Sequence, residues 1–138
     1  MKELQDFLLP LEELTIKSEY QELKEYNQID KDLIPYIDAL NSVPGLVTLY
    51  SCQSHPERNK NTSYLIIKCS EEMCYPLTEA IHSISDEMDI TVEWNSSVEY
   101  KIFGIETKIE SVIAIYGGTD YSYFDKLVNY LVDWYFLL

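Results

Sequence analysis

A thiol and an imidazole lie three residues apart near the middle of the chain, at Cys52 and His55. An imidazole close to a thiol can accept its proton, and the resulting thiolate is a nucleophile. The pair therefore predicts a candidate catalytic site with Cys52 as nucleophile and His55 as base. Because catalytic cysteine and histidine usually stand far apart in sequence, a binding loop and a structural strand end stay open as alternatives.

Hydroxyl and basic side chains surround this pair. Arg58 and Lys60 are the only basic residues near it, and together they could neutralise a phosphate. The segment thus favours, as an alternative function, a small-molecule or nucleotide-binding protein that sequesters its ligand. The predicted ligand-binding residues are Thr48, Ser51, Cys52, Ser54, His55, Arg58 and Lys60.

The same segment carries a resemblance. The run from Thr48 to His55 is similar to a Thr-x-x-Ser-Cys-x-Gly-His stretch in small phage and bacterial proteins. It more distantly resembles the Thr-Thr-Ser-Ser-Cys-Ser-Gly-Arg segment of the wybutosine-synthesising tRNA methyltransferase family. Ser54 stands where both patterns have glycine, and His55 replaces the arginine of the second. The resemblance implies a related fold and a methyltransferase-like relative as a further alternative, without S-adenosylmethionine binding.

The cysteines favour reduced thiols over disulfides or a metal centre. Three cysteines, at 52, 69 and 74, are an odd number in a chain of 138 residues, and a domain of that size needs no cross-link to fold. The five-residue step from Cys69 to Cys74 lacks the histidine partners of a zinc site. We expect a cytoplasmic protein with no metal and no cofactor.

The net charge of the chain disfavours two classes of binding partner. Twenty-four acidic residues against ten basic ones leave a net charge of −14. Such a chain repels phosphate backbones, so direct binding to nucleic acid or to an anionic membrane is disfavoured. Two interpretations of the charge stay open: it keeps the protein soluble in a crowded cytoplasm, or it docks on a basic protein surface with electrostatic steering of the encounter.

Aromatic residues accumulate with acids near the C-terminus. Tyrosine and tryptophan are enriched in the energetically dominant parts of interfaces. The predicted partner-binding residues are Asp120, Tyr121, Tyr123, Asp125, Tyr130, Asp133 and Trp134. The leading hypothesis is a non-enzymatic acidic binding protein, an inhibitor of the phage-encoded anti-defence type, that engages a basic host protein. A homodimer through the C-terminal helix is an alternative use of this surface.

The predicted elements alternate between helices and strands. The acidic segment 1–28 is predicted to be helical, with a kink or a division into two short helices at Pro10. A second helix follows Asp32 and ends at Pro44 and Gly45. A third helix follows Pro76, and a fourth follows the glycine pair at 117–118, with Thr119 or Asp120 as its cap.

Strands are predicted at 46–52, 63–69, 89–94, 98–105 and 108–116, with a turn at 95–97 and a bulge at Gly104. Residues 1–138 would then form one domain of order α-α-β-β-α-β-β-β-α. The expected fold is an α/β (α+β) two-layer sandwich, with helices over one face of a mostly antiparallel sheet of about five strands.

Overall fold

A computed structural model describes residues 7–52, 62–118 and 121–136. The helices are α1 (Pro10–Glu25), α2 (Ile34–Asn41, preceded by a 3-10 turn at Lys31–Leu33), α3 (Glu71–Glu87) and α4 (Ser122–Phe136). The strands are β1 (Leu46–Cys52), β2 (Ser63–Cys69), β3 (Thr91–Ile102) and β4 (Ile105–Gly117). The strands form one antiparallel sheet of order β1-β2-β4-β3. The predicted α+β class is confirmed.

The described sheet has four strands, whereas about five were predicted. Asn95 and Ser96 do not end a strand, because β3 continues through them with two register shifts against β4. Asn95 adopts a positive φ of 54°, which asparagine tolerates better than most residues. Residues typical of turns therefore form bulges within one long strand.

The β3–β4 hairpin turns earlier than predicted, at Phe103 and Gly104. Both residues have positive φ, 51° and 77°, which is the backbone of the two-residue type I′ turn. The predicted bulge at Gly104 is therefore wrong, since the glycine lies in the turn itself.

Two prolines also differ from their predicted roles. Pro10 is the first residue of α1 and causes no kink, because a proline at that position replaces an N–H that lacks an intrahelical partner. Pro76 lies inside α3, which begins five residues earlier at Glu71. The extended backbone of Ser70 precedes that helix.

Buried side chains form two clusters that flank the sheet. The larger contains residues from α2, α3 and α4 packed on Leu65, Ile67 and Ile113. The smaller contains Ile16 of α1 with Ile66 and other strand residues. Because Tyr20 of the same helix joins the larger cluster, α1 contributes to both sides of the sheet. The helices are therefore not all on one face.

The β3–β4 hairpin folds toward β1 and α1. Tyr100 of β3 packs edge-on against Tyr50 of β1, with ring centroids 5.5 Å apart, and the Tyr50 hydroxyl donates to the backbone oxygen of Glu99. At the hairpin tip, the N–H of Phe103 donates to Oε1 of Glu19 at 3.2 Å. These contacts join residues that lie between 49 and 84 positions apart in the sequence. Across the described ranges, no helix is long and apolar enough to cross a membrane.

Candidate functional site

A bulge in β1 positions the strand end that the sequence singled out. The pairing of β1 with β2 shifts between Thr48 and Tyr50, so Leu49 is the extra residue. Neighbours in a regular strand point to opposite faces, yet four consecutive residues, from Thr48 to Ser51, line one cavity of about 260 Å³. The bulge at Leu49 makes this possible, because it interrupts the regular alternation of side chains. In the described sheet β1 is also an edge strand, paired with β2 alone.

Thr48 presents an unsatisfied hydroxyl at this cavity. The residue is only 5% exposed, and its Oγ1 has no hydrogen-bond partner among the described residues. Its backbone N–H donates to Oδ1 of Asn41 at 3.0 Å, which ties β1 to the end of α2. A buried polar atom without a partner is uncommon in folded proteins, so this hydroxyl is a candidate ligand contact.

Tyrosine rings form much of the cavity wall. The Tyr20 hydroxyl donates to Oδ1 of Asp38 at 2.8 Å, and the Tyr50 hydroxyl is held by Glu99 as described above. Burial raises the pKa of Tyr50, and burial raises the pKa of Tyr100 to about 12. At neutral pH these phenols are uncharged. The hydroxyls of Tyr20 and Tyr50 are already hydrogen-bonded, and Lys24 Nζ lies 5.3 Å from the centroid of the Tyr20 ring.

The predicted ligand-binding residues separate into three groups. Thr48 and Ser51 both line the cavity. Cys52 is half-buried and pairs with Tyr64 on β2, outside the cavity lining. The remaining four fall outside the described residues: Ser54, His55, Arg58 and Lys60.

The predicted catalytic pair stays a prediction, because His55 lies outside the described residues. No disulfide joins the described cysteines, Cys52, Cys69 and Cys74. Burial raises the pKa of Cys69 to about 12, which disfavours the nucleophilic thiolate at that position. Among the described residues, no group of three or more His, Cys, Asp or Glu side chains is arranged to hold a metal ion.

Sequence reasoning missed most of the cavity wall. Tyr20, Asp30 and Tyr100 line it, but they belong to three separate parts of the chain. Tyr50 lies inside the segment that was singled out and was overlooked because it reads as an ordinary strand aromatic. A tyrosine within a hydroxyl-rich strand end was the one local signal available.

A second candidate surface is the outer side of the two long helices α3 and α4. Helix α3 carries five carboxylates and no lysine or arginine. Tyr75, Glu79, His82 and Asp86 recur at helical spacing, and all four side chains are exposed. Lys126 of α4 pairs with Glu87 of α3, and Tyr130 and Asp133 line the groove between the helices. This outer surface, with its exposed acids and tyrosines, is called here the acidic helix face.

The predicted partner-binding residues are only partly on this face. Asp125, Tyr130 and Asp133 are exposed, while Tyr121 and Trp134 are half-buried. Asp120 lies outside the described residues.

Tyr123 was predicted to contact a partner, and this prediction is wrong, because the residue is only 1% exposed. Its hydroxyl lies 3.0 Å from Oγ of Ser63. A Cβ atom on Gly117 would stand 2.4 Å from its ring, so the glycine is what admits the ring. Tyr123 is therefore a core residue and cannot contact a partner.

No protein-family model, curated protein sequence or solved structure matches this chain. The functional inference accordingly depends on the residues and geometry described above.

Proposed function

We propose that this protein is a non-enzymatic binding protein that docks its acidic helix face on a basic surface of another protein. The observation that supports the proposal is the charge of α3 and α4. Their seven carboxylates face a single lysine, Lys126, which is already paired with Glu87. Such a concentration of one sign raises the rate of encounter with an oppositely charged partner.

The remaining helices and strands are less one-sided. In α1, Lys17 pairs with Glu13 at 2.6 Å, and Lys24 reaches Asp38 of α2 at 3.0 Å. In the hairpin, two lysines stand near glutamates, at 3.9 and 3.7 Å. Acidic residues are spread along the whole sequence, but the acidic helix face has fewer lysines to balance them than the other elements have. Negative charge is therefore concentrated on this face.

One of these acids, Asp86, is placed against the stability of its own helix. Asp86 and Glu87 lie in the last turn of α3, which has no basic residue, but Glu87 is compensated by its ion pair with Lys126. The C-terminal end of a helix carries partial negative charge, so carboxylates there are unfavourable. A costly placement supports a role in binding, because residues retained for function often reduce stability.

Exposed tyrosines supply the apolar part of the surface. Tyr75 on α3 is 73% exposed, and Tyr130 and Tyr135 on α4 are partly exposed. Tyrosine in the centre of an interface contributes large contact area at low entropic cost. In our proposal these rings anchor the contact, and the surrounding carboxylates orient it.

The proposed consequence is inhibition. A basic protein groove that accepts carboxylates in place of phosphates cannot bind nucleic acid at the same time. The absence of a disulfide among the three described cysteines is in keeping with action in the reducing cytoplasm. An inhibitor of host defence is the specific role we propose.

Affinity capture with three baits tests the binding surface. The wild-type protein is compared with E79K/D86K on α3 and with E93K/E99K on β3. All four side chains are exposed, and the two variants change the net charge equally. We expect the wild type and the β3 variant to retain the same protein from a host lysate, and the α3 variant to lose it.

Two results would contradict the proposal. Equal loss from both variants would show that net charge alone matters. Equal retention by all three baits would place the contact elsewhere on the molecule.

A further inference from the structure

The cavity beside β1 is a second candidate site, apart from the acidic helix face. It lies among the end of α1, the residues that follow it, α2, β1 and the Tyr100 side chain. Its volume of about 260 Å³ is below the range of roughly 300–1,000 Å³ typical of drug-sized ligands. A ligand of one ring with a short polar substituent fits a space of this size.

We infer that this cavity binds a small uncharged ring compound that carries one hydrogen-bonding group, such as a hydroxyl. The aliphatic part of its lining comes from Leu23, Ile37 and Leu49, and tyrosines from α1, β1 and β3 supply the aromatic part. A wall of this composition stabilises the ring of a ligand by removing its apolar surface from water.

A charged ligand finds no available countercharge in this lining. Asp30 is the one charged residue among the described residues that line the cavity, and it already takes part in an interaction of its own. The Lys24 ammonium lies 5.3 Å from the centroid of the Tyr20 ring, so a second cation at that ring would be repelled. An anion would meet no lysine or arginine among the described lining residues. An uncharged ligand therefore loses least on leaving water.

The ionisation of the cavity tyrosines indicates the same preference. Burial is the largest cause that raises the pKa of Tyr100 to about 12, and burial also raises the pKa of Tyr50. Burial has this effect because surroundings of low polarity disfavour the charged form of a group. A lining that keeps its own phenols neutral favours a neutral ligand over an ion.

Thr48 gives the cavity an unused hydrogen-bonding group. It is one of the lining residues, it is only 5% exposed, and its Oγ1 has no partner among the described residues. A threonine hydroxyl can both donate and accept a hydrogen bond, so a ligand hydroxyl satisfies it in either direction. This contact supplies a specificity that an apolar wall alone lacks.

Three probes of nearly equal shape test the charge preference: benzyl alcohol, benzylamine and benzoate. Binding to the full chain is measured by ligand-observed NMR and calorimetry at about 0.15 M salt, which screens the general attraction of an acidic protein for a cation. We expect benzyl alcohol to bind tightest of the three. Equal or tighter binding of either ion would overturn the inference, and so would the absence of saturable binding of benzyl alcohol up to about 10 mM, a concentration well above a millimolar dissociation constant.

Thr48→Val and Thr48→Ser test the hydrogen bond, because the first keeps the shape of the side chain and the second keeps its hydroxyl. We expect Thr48→Val to lower the affinity for benzyl alcohol about two- to tenfold, the range for one hydrogen bond. Thr48→Ser should stay closer to the wild type. Equal affinity in the two variants would contradict the assignment of this hydroxyl as the ligand contact.

Thr78→Val is the matched control. The Thr78 side chain is also buried, but its hydroxyl already donates to the Cys74 carbonyl oxygen at 2.7 Å. Its affinity for benzyl alcohol should equal that of the wild type, and a loss as large as that of Thr48→Val would overturn the inference.

Ser51→Phe is a second test that does not depend on Thr48. Ser51 lines the cavity, so a phenylalanine ring at this position occupies space that the ligand needs. We expect saturable binding of benzyl alcohol to be lost in this variant. Binding equal to that of the wild type would place the ligand elsewhere on the molecule and overturn the inference.

Discussion

Tyr100 shows at the scale of one residue how burial and charge act together. Burial, with a smaller contribution from Glu19, raises the pKa of this phenol to about 12. In the unfolded chain the same group titrates near 10. Between these values the unfolded state releases its proton first, so the free energy of unfolding declines. Below pH 10 the contribution of Tyr100 to stability is fully present.

The first prediction follows from that difference. We expect the free energy of unfolding to fall as pH rises from 10 to 12, with about 1.4 kcal/mol for each unit of pKa difference at a fully shielded group. Urea unfolding at several alkaline pH values measures this. Tyr100→Phe cannot ionise and should show a shallower decline. An identical slope in the variant would contradict the role of Tyr100.

Single residues were also the level at which the sequence was least informative. Tyr123 and Tyr130 both lie on α4 among acids, yet the first is buried and the second exposed. The two tyrosines are seven residues apart, so helical spacing puts them on nearly the same side of α4, and only the docking of the helix decides which of them is buried. In contrast, Thr48 and Ser51 were predicted as site residues and do line a cavity, since a strand end limits where they can point.

At the scale of elements, the bounds of strands were predicted correctly where turn-forming residues flank an apolar run. The strands β1 and β2 have the bounds expected from the sequence. Asn95 and Ser96 failed as a turn because the same residue types also form bulges. Cavity residues from α1, β1 and β3 could not be joined from sequence, because contacts across the sheet depend on the fold of the hairpin.

The C-terminal turn of α3 supplies the second prediction. Replacing Asp86 by lysine removes a negative charge from the negative end of the helix dipole and adds a positive one. We expect this to stabilise the protein by about 0.3–1 kcal/mol, measured by urea unfolding at low salt. Glu79→Lys near the middle of α3 makes the same charge change without the dipole effect. Stabilisation equal to that of Glu79→Lys, or a loss of stability, would show that Asp86 carries no such cost.

At the scale of the whole molecule, composition correctly indicated the excess of acids but could not locate them. The acids are distributed along the chain, and it is the fold that places α3 beside α4, where lysine is scarce. Basic residues in α1 and β3–β4 are held by acidic neighbours. The fold therefore concentrates negative charge on α3 and α4, and the proposed recognition of a basic partner would use this pattern.

The most direct measurement is the affinity of the captured protein for the wild type, E79K/D86K and E93K/E99K at two salt concentrations. At low salt we predict that the α3 variant loses about tenfold or more in affinity, whereas the β3 variant stays close to the wild type. The difference should shrink at high salt, because screening shortens the reach of exposed charges. Equal losses in the two variants, or a difference that salt leaves unchanged, would contradict recognition through the acidic helix face.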